Sequence, residues 1–333
     1  MYSHEAMHDL AIIGAGPAGL SAALAAHGLG LDVVVLERGQ VAETVHQFPI
    51  GKPLFSTADE LELAPGTLTP RGPKPTREEL LTHYARFVVD SGLDVRTGEQ
   101  VRAIRPTADG FEVETSAGTH ASRTILVATG VNGFRKRLGV PGESDERVEY
   151  RFVEGFPYAG RDVLVVGSGN SAAETALFLE EVGARVTLAM RRRGYERDPE
   201  AGRAEIKWWI ADPLRELAGN GRLTVHFDAS VESISERAAV LSIASGSHLE
   251  VACDAIFALL GTKPDLSLFE RAGVRIDADG LPAYDPATFE TNIPGLYVAG
   301  HITREPHMKG ALRVGPIVAR RIAETLSVAR KNA

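Results

Sequence analysis

From Leu10 the chain reads as an apolar run (LAIIG), a glycine turn, an alanine-rich stretch of helical periodicity (PAGLSAALAAHGL) and a second apolar run closed by charge (DVVVLER). Continuous apolar runs flanking a helix-period segment predict a βαβ unit whose strands are buried on both faces. The same order returns from Asp162, as DVLVVG, NSAAETALFLEEVG and RVTLAMR. One duplication at so long a separation predicts two nucleotide folds, not a solenoid.

Between the two copies, Thr76 with Glu79 three residues on forms a capping box, which predicts a helix running to Gly92. FEVETSAG and SRTILVATG alternate as strands leading back into the first fold, and VEYRFVEGFPYAGR is an irregular entry into the second. RLTVHF, AVLSIA and LEVACDAIFALLG are strand-like, and IPGLYVAGHI precedes a last helix ending near Ala329. The expected architecture is α/β: two Rossmann-like, three-layer ββα dinucleotide-binding domains, the second inserted in the first. The expected boundaries are 1–131 and 253–333 for the outer domain and 132–252 for the insert.

Composition narrows the chemistry. With 333 residues, 44% hydrophobic and 24% charged, the chain is long enough for two cores. A net charge of −8 with scattered basic residues does not suggest a nucleic-acid or membrane surface. No apolar stretch is long enough to span a bilayer, and MYSHEAMHDL does not read as a leader, so a cytoplasmic location is expected. The single cysteine, Cys253, permits no internal disulfide, and no metal site is visible.

Gly14, Gly16 and Gly19 lie where strand becomes helix, so backbone N–H groups there can face a pyrophosphate. Glu37 closes the following strand, placed to accept hydrogen bonds from ribose hydroxyls. The second turn has Gly167, Gly169 and Ala172, and its following strand ends in Met190, Arg191, Arg192 and Arg193 in place of a carboxylate. Guanidinium groups at that position match the 2′-phosphate of NADP, which favours NADPH over NADH; the alternative is a solvated basic run.

These motifs, with LVATG at Leu126–Gly130 and YVAGH at Tyr297–His301, follow the order of the low-molecular-weight thioredoxin reductase family of FAD flavoproteins, which the chain resembles over nearly its whole length. The resemblance implies FAD on the outer domain, held by Gly14, Gly16, Pro17, Ala18, Gly19, Glu37, Arg38, Val101, Ala128, Thr129, Gly130, Gly300, His301, Lys309, Gly310 and Ala311. It implies NADPH on the insert, held by Gly167, Ser168, Gly169, Asn170, Ser171, Ala172, Glu174, Arg191, Arg192 and Arg193. A homodimer is implied as well, and so are hinges near Val131 and Ala252, since the family alternates between domain orientations.

The departures are informative. The family's CxxC positions correspond to Tyr150 and Val153, so no thiolate pair can relay electrons. TVHQFPIGKPLFSTADELE and AEIKWWI are similar to the bacillithiol disulfide reductases, whose glycine-motif cysteine is here Ala18. Cys253, heading the apolar run AIFALLG, reads as a core thiol, the alternative being that it acts in disulfide reduction. His301 stands where the family has an aspartate, and Lys309 where it has a glutamine beside the flavin; His301, His307 and Lys309 are either flavin contacts or surface-loop residues. Adjacent Trp208 and Trp209 diverge on a helix, one expected in the core and the other at a domain contact, the alternative being a role in acceptor docking.

The expected activity is an NADPH-dependent FAD flavoprotein reductase with no catalytic side chain beyond the flavin itself. Its expected acceptor is external, a ferredoxin or flavodoxin, as in the ferredoxin–NADP reductase-type relatives that lack CxxC, with Arg71, Lys74, Arg77, Arg135, Lys136 and Arg137 as a candidate docking surface. The alternatives are a thioredoxin reductase-like enzyme reducing a low-molecular-weight disulfide, and a non-catalytic FAD/NADP redox sensor.

Overall fold

A computed structural model describes residues 7–197, 204–244, 246–305 and 307–332. Positions 1–6 of the N-terminal stretch read for a leader lie outside these. The chain divides into two compact units, 1–134 with 264–333, and 135–263.

In the first unit the sheet order is Asp94–Thr97, Val33–Glu37, His8–Ile13, Thr119–Val127, Phe111–Thr115, Val101–Pro106. Leu10 pairs in parallel with Val33 and Ile12 with Leu126, so the first apolar run is central. On the side away from His8–Ile13, the nine-residue strand Thr119–Val127 takes two further partners: its first half pairs antiparallel with Phe111–Thr115, and Ile125–Val127 pairs in parallel with Leu296–Val298. The chain's late apolar run thereby rejoins the first fold. Helix Pro17–Gly28 starts on proline, whose fixed φ suits a first helical turn, and buries Leu20, Ala22, Ala23 and Ala26. The long helix Met308–Asn332 shares that core through Val314, Val318 and Ile322.

The capping box forms as expected: Thr76 Oγ1 accepts from Glu79 N, Glu79 accepts from Thr76 N at 2.9 Å, and helix Arg77–Ser91 ends on Gly92 in the left-handed region.

The second unit has five parallel strands in the order Thr224–His226, Arg185–Ala189, Asp162–Val166, Ala255–Ala258, Val148–Glu149. Ser230–Ile234, Ala238–Ser242 and His248–Ala252 form a separate antiparallel sheet. The chain therefore returns to the first unit after Lys263, not after Ala252, and leaves it after Phe134, not Val131. The cause is the run AIFA: Ile256 pairs with Leu164, and all four residues are buried, so the second sheet takes them as a strand. Among the described residues no helix is long and apolar enough to cross a membrane.

Candidate functional site

In the first unit a cavity of about 440 Å³, within the ~300–1,000 Å³ usual for cofactor sites, opens at the glycine turn. It brings together thirteen of the sixteen residues expected to hold FAD: Gly14, Gly16, Pro17, Ala18, Glu37, Arg38, Val101, Ala128, Thr129, Gly130, Gly300, His301 and Ala311. The glycines have distinct causes. Gly14, at φ +110°, would place a Cβ 2.6 Å from the Ala128 carbonyl oxygen; Gly16 faces open space and starts the helix with no side-chain cap. The orphan N–H groups of that first turn thus remain for a ligand's oxygens. Gly300, at φ +79°, would place a Cβ 2.8 Å from Ala18 Cβ, which keeps the late motif tight against the helix.

Glu37 is buried at 8% exposure, and both carboxylate oxygens are used: Oε2 accepts from Ala15 N at 2.9 Å and Oε1 from Gly39 N at 2.7 Å. The residue that closes the strand therefore also braces the glycine turn, with lone pairs left over for hydroxyl donors. His301 and His307 both line the cavity. His301 reaches solvent, yet desolvation by the surrounding protein, with His307 nearby, lowers its pKa below the ordinary imidazole value.

Three expected FAD residues are not in the lining. Gly19 is buried under the turn, where a Cβ would sit 1.9 Å from Gly14 O; it serves helix–strand packing. Lys309 is exposed and its ammonium pairs with Glu60 at 3.1 Å, so it is not the cation expected at the flavin edge. Gly310 is buried beside Glu305. The cavity also includes Gln47, Asn132, Asp265 and Arg271, which sequence reading missed. Gln47 carried a signal, since it sits four residues after Glu43 and donates to it at 2.9 Å, one helical turn apart. Asp265 and Arg271 carried none, being delivered by the chain's return after residue 263.

In the second unit helix Asn170–Glu181 begins on Gly169, again without a side-chain cap. Gly167 could not carry a Cβ, which would lie 2.4 Å from Leu259 O and 2.8 Å from Ala172 Cβ, and Ala172 is fully buried. Ser168, Asn170 and Glu174 are half-buried and Ser171 exposed along that turn. Ser168 Oγ accepts from Arg191 N at 2.9 Å, tying the turn to the arginine run.

The run itself divides. Arg191 and Arg193 are exposed, as a phosphate contact requires. Arg192 is not a phosphate ligand: it is 1% exposed, and its guanidinium donates to the carbonyls of Ser168 (3.0 Å), Tyr195 (3.2 Å), Ala204 (3.1 Å) and Glu196. The tryptophan expected in the core is not there. Helix Trp208–Gly219 buries Ile210, Ala211 and Leu214, while Trp208 and Trp209 are 69% and 37% exposed and stack edge-to-face at 5.6 Å.

Four of the six residues of the expected basic docking set are engaged within the chain. Lys74 donates to Phe55 O, Arg77 to His46 O, and Arg135 to Tyr150 O; Arg137 stacks on Tyr150 at 4.4 Å. Cys253 is buried at 3% exposure, and burial pushes its thiol pKa up.

A family model for pyridine nucleotide-disulphide oxidoreductases matches residues 11–300, and the chain belongs to that family. It is an NADPH-dependent flavoprotein reductase with FAD and NADPH as its cofactors. Among individual relatives, it is 36% identical over 293 residues to bacilliredoxin reductase Bdr of Bacillus subtilis, covering 87% of this chain and 88% of that protein. The bacillithiol disulfide reductase Bdr structure from Staphylococcus aureus superposes with a TM-score of 0.89 at 29% identity, covering 96% of this chain and 99% of the other. A ferredoxin–NADP reductase of Ignicoccus hospitalis is 29% identical, over 90% of this chain and 92% of its own.

Proposed function

We propose that the chain reduces a low-molecular-weight disulfide of the bacillithiol type, or the disulfide of a small redoxin, with NADPH: NADPH + H⁺ + RSSR → NADP⁺ + 2 RSH. The observation that carries this reading is the end-to-end likeness to the Bdr reductases, in sequence at 36% and in fold at 0.89. It displaces the expected ferredoxin or flavodoxin acceptor as the first choice. That second reading keeps one observation in its favour, the ferredoxin–NADP reductase relative aligned over 90% of the chain.

FAD fits the first unit's cavity. Gly14 and Gly300 hold backbone where no Cβ can go, the uncapped turn at Gly16 offers N–H donors to a diphosphate, and the braced Glu37 offers acceptors to ribose hydroxyls. When bound, the flavin supplies two-electron chemistry, accepting hydride from a nicotinamide and passing the electron pair to the acceptor. The protein's own part is binding, orientation and charge. In the second unit, the uncapped turn at Gly169 would take the NADPH diphosphate and Arg191 with Arg193 the 2′-phosphate. Tyr150, Val153 and Ala18 hold no sulfur, and the buried Cys253 is absent from the cavity lining, so no side-chain thiol relays electrons within the chain.

Steady-state NADPH oxidation separates the acceptors. Turnover with bacillithiol disulfide or an oxidised redoxin, at least tenfold above that with ferredoxin or flavodoxin, is the expected result. The reverse ranking would refute the proposal in favour of the second reading.

A further inference from the structure

The aromatic stretch AEIKWWI has no assigned role, yet its backbone is fastened to the second glycine turn at both ends. Arg192 holds the Ala204 carbonyl at 3.1 Å and, with the same guanidinium, the Ser168 carbonyl at 3.0 Å. Asn170 Oδ1, in the first turn of helix Asn170–Glu181, accepts from Lys207 N at 2.9 Å. Ala204–Lys207 is thus strung from the end of the arginine strand to the start of the glycine-turn helix. Directly after it come Trp208 and Trp209, the only two tryptophans of the chain, both reaching solvent. Their mutual contact leaves the larger part of Trp208 uncovered at 69% exposure, and Lys207 Nζ lies 6.0 Å from the Trp209 ring centroid. An indole pair held beside the second glycine turn, with a cation over one of its rings, is arranged as a stacking platform.

We propose that Lys207 and the Trp208–Trp209 pair form the outer wall of the NADPH site and pack against the adenosine half of the coenzyme. The inference rests on the reading that the second unit holds NADPH. The occupant follows from continuity: the stretch is anchored through Arg192 to the strand end where Arg191 and Arg193 are exposed, which is the 2′-phosphate end of a dinucleotide bound at this turn. Arg192 acts here as a positioning residue, setting where the platform stands.

The test uses the oxidised, FAD-loaded protein. Because the pair accounts for every tryptophan, intrinsic indole emission reports on it alone. Saturating NADP⁺, with saturation established by calorimetry, should lower the acrylamide quenching constant about twofold or more. Trp208→Ala, at an exposed position that does not threaten folding, should raise the KM for NADPH about threefold to tenfold at unchanged kcat, the sign of lost uniform binding; Trp208→Phe should restore most of it. Calorimetric binding with unchanged acrylamide access would overturn the platform and leave the coenzyme assignment standing. No binding of NADP⁺ at all would overturn both.

Discussion

Replacing Gly315 by alanine tests whether the crossing of helices Pro17–Gly28 and Met308–Asn332 sets both the stability of the first unit and the shape of its cavity. A Cβ at Gly315 would lie 2.1 Å from Ser21 Oγ, 2.7 Å from Ala18 O and 2.8 Å from Ala22 N. Rotating Ser21 relieves the first contact but gives up its 3.1 Å bond to Ala18 O. The other two are backbone, so the helices must separate. Overpacking of this kind costs ~1–3 kcal/mol or more, and the helix-propensity gain of alanine over glycine returns ~1 kcal/mol. Adding the lost hydroxyl bond, we expect a net loss of about 2 kcal/mol, or a Tm lower by about 4–8 °C for a unit of this size. Since Ala18 lines the cavity, FAD should dissociate more readily as well. Thermal unfolding of the FAD-loaded protein, followed by flavin fluorescence on release, reads both effects. Gly28→Ala is the control, because nothing lies within 4 Å of that Cβ; it should be neutral or slightly stabilising. Gly315→Ala unfolding at or above the parent's temperature would refute the close-packing argument.

Glu37→Gln keeps the shape but places an amide donor against Ala15 N or Gly39 N; leaving one of them unpaired costs ~1–3 kcal/mol, and equilibrium dialysis should show weaker FAD retention, unchanged retention counting against the brace. Asp145 is held down to about 2 by its hydrogen bonds from the Arg147 guanidinium and backbone. As a carboxylate depressed on folding, it contributes stability that is fully present above its unfolded value near 4 and is lost as pH falls towards 2, on the order of 1 kcal/mol after solvent screening. Asp145→Asn should accordingly flatten the acid limb of the unfolding profile between pH 4 and 2, and an unaltered limb would contradict the pairing. Cys253→Ala should retain turnover, with a stability loss of about 1 kcal/mol from the small cavity; a variant that folds but cannot oxidise NADPH would return the thiol to the mechanism.

Local order was legible because it is written in neighbouring residues. The capping box of Thr76 and Glu79 and both βαβ units follow from spacing and residue type alone, as does the impossibility of a disulfide within a chain of one cysteine. Arg192 was legible as a cation but not as a strut, since an arginine run looks the same from outside whether its members reach solvent or turn inward. Lys309 likewise gave no sign of Glu60, which is 249 positions away in sequence.

The amino-acid order by itself determined that two nucleotide folds exist, where each turns, and that only one cysteine is present. Tertiary structure alone decided which unit takes the strand Ala255–Ala258, which arginines face outward, and that the two tryptophans stand together at the surface. The reason is physical: periodicity and turn chemistry act over a few residues, whereas strand partnership and side-chain burial are settled by segments that meet only when the chain closes on itself.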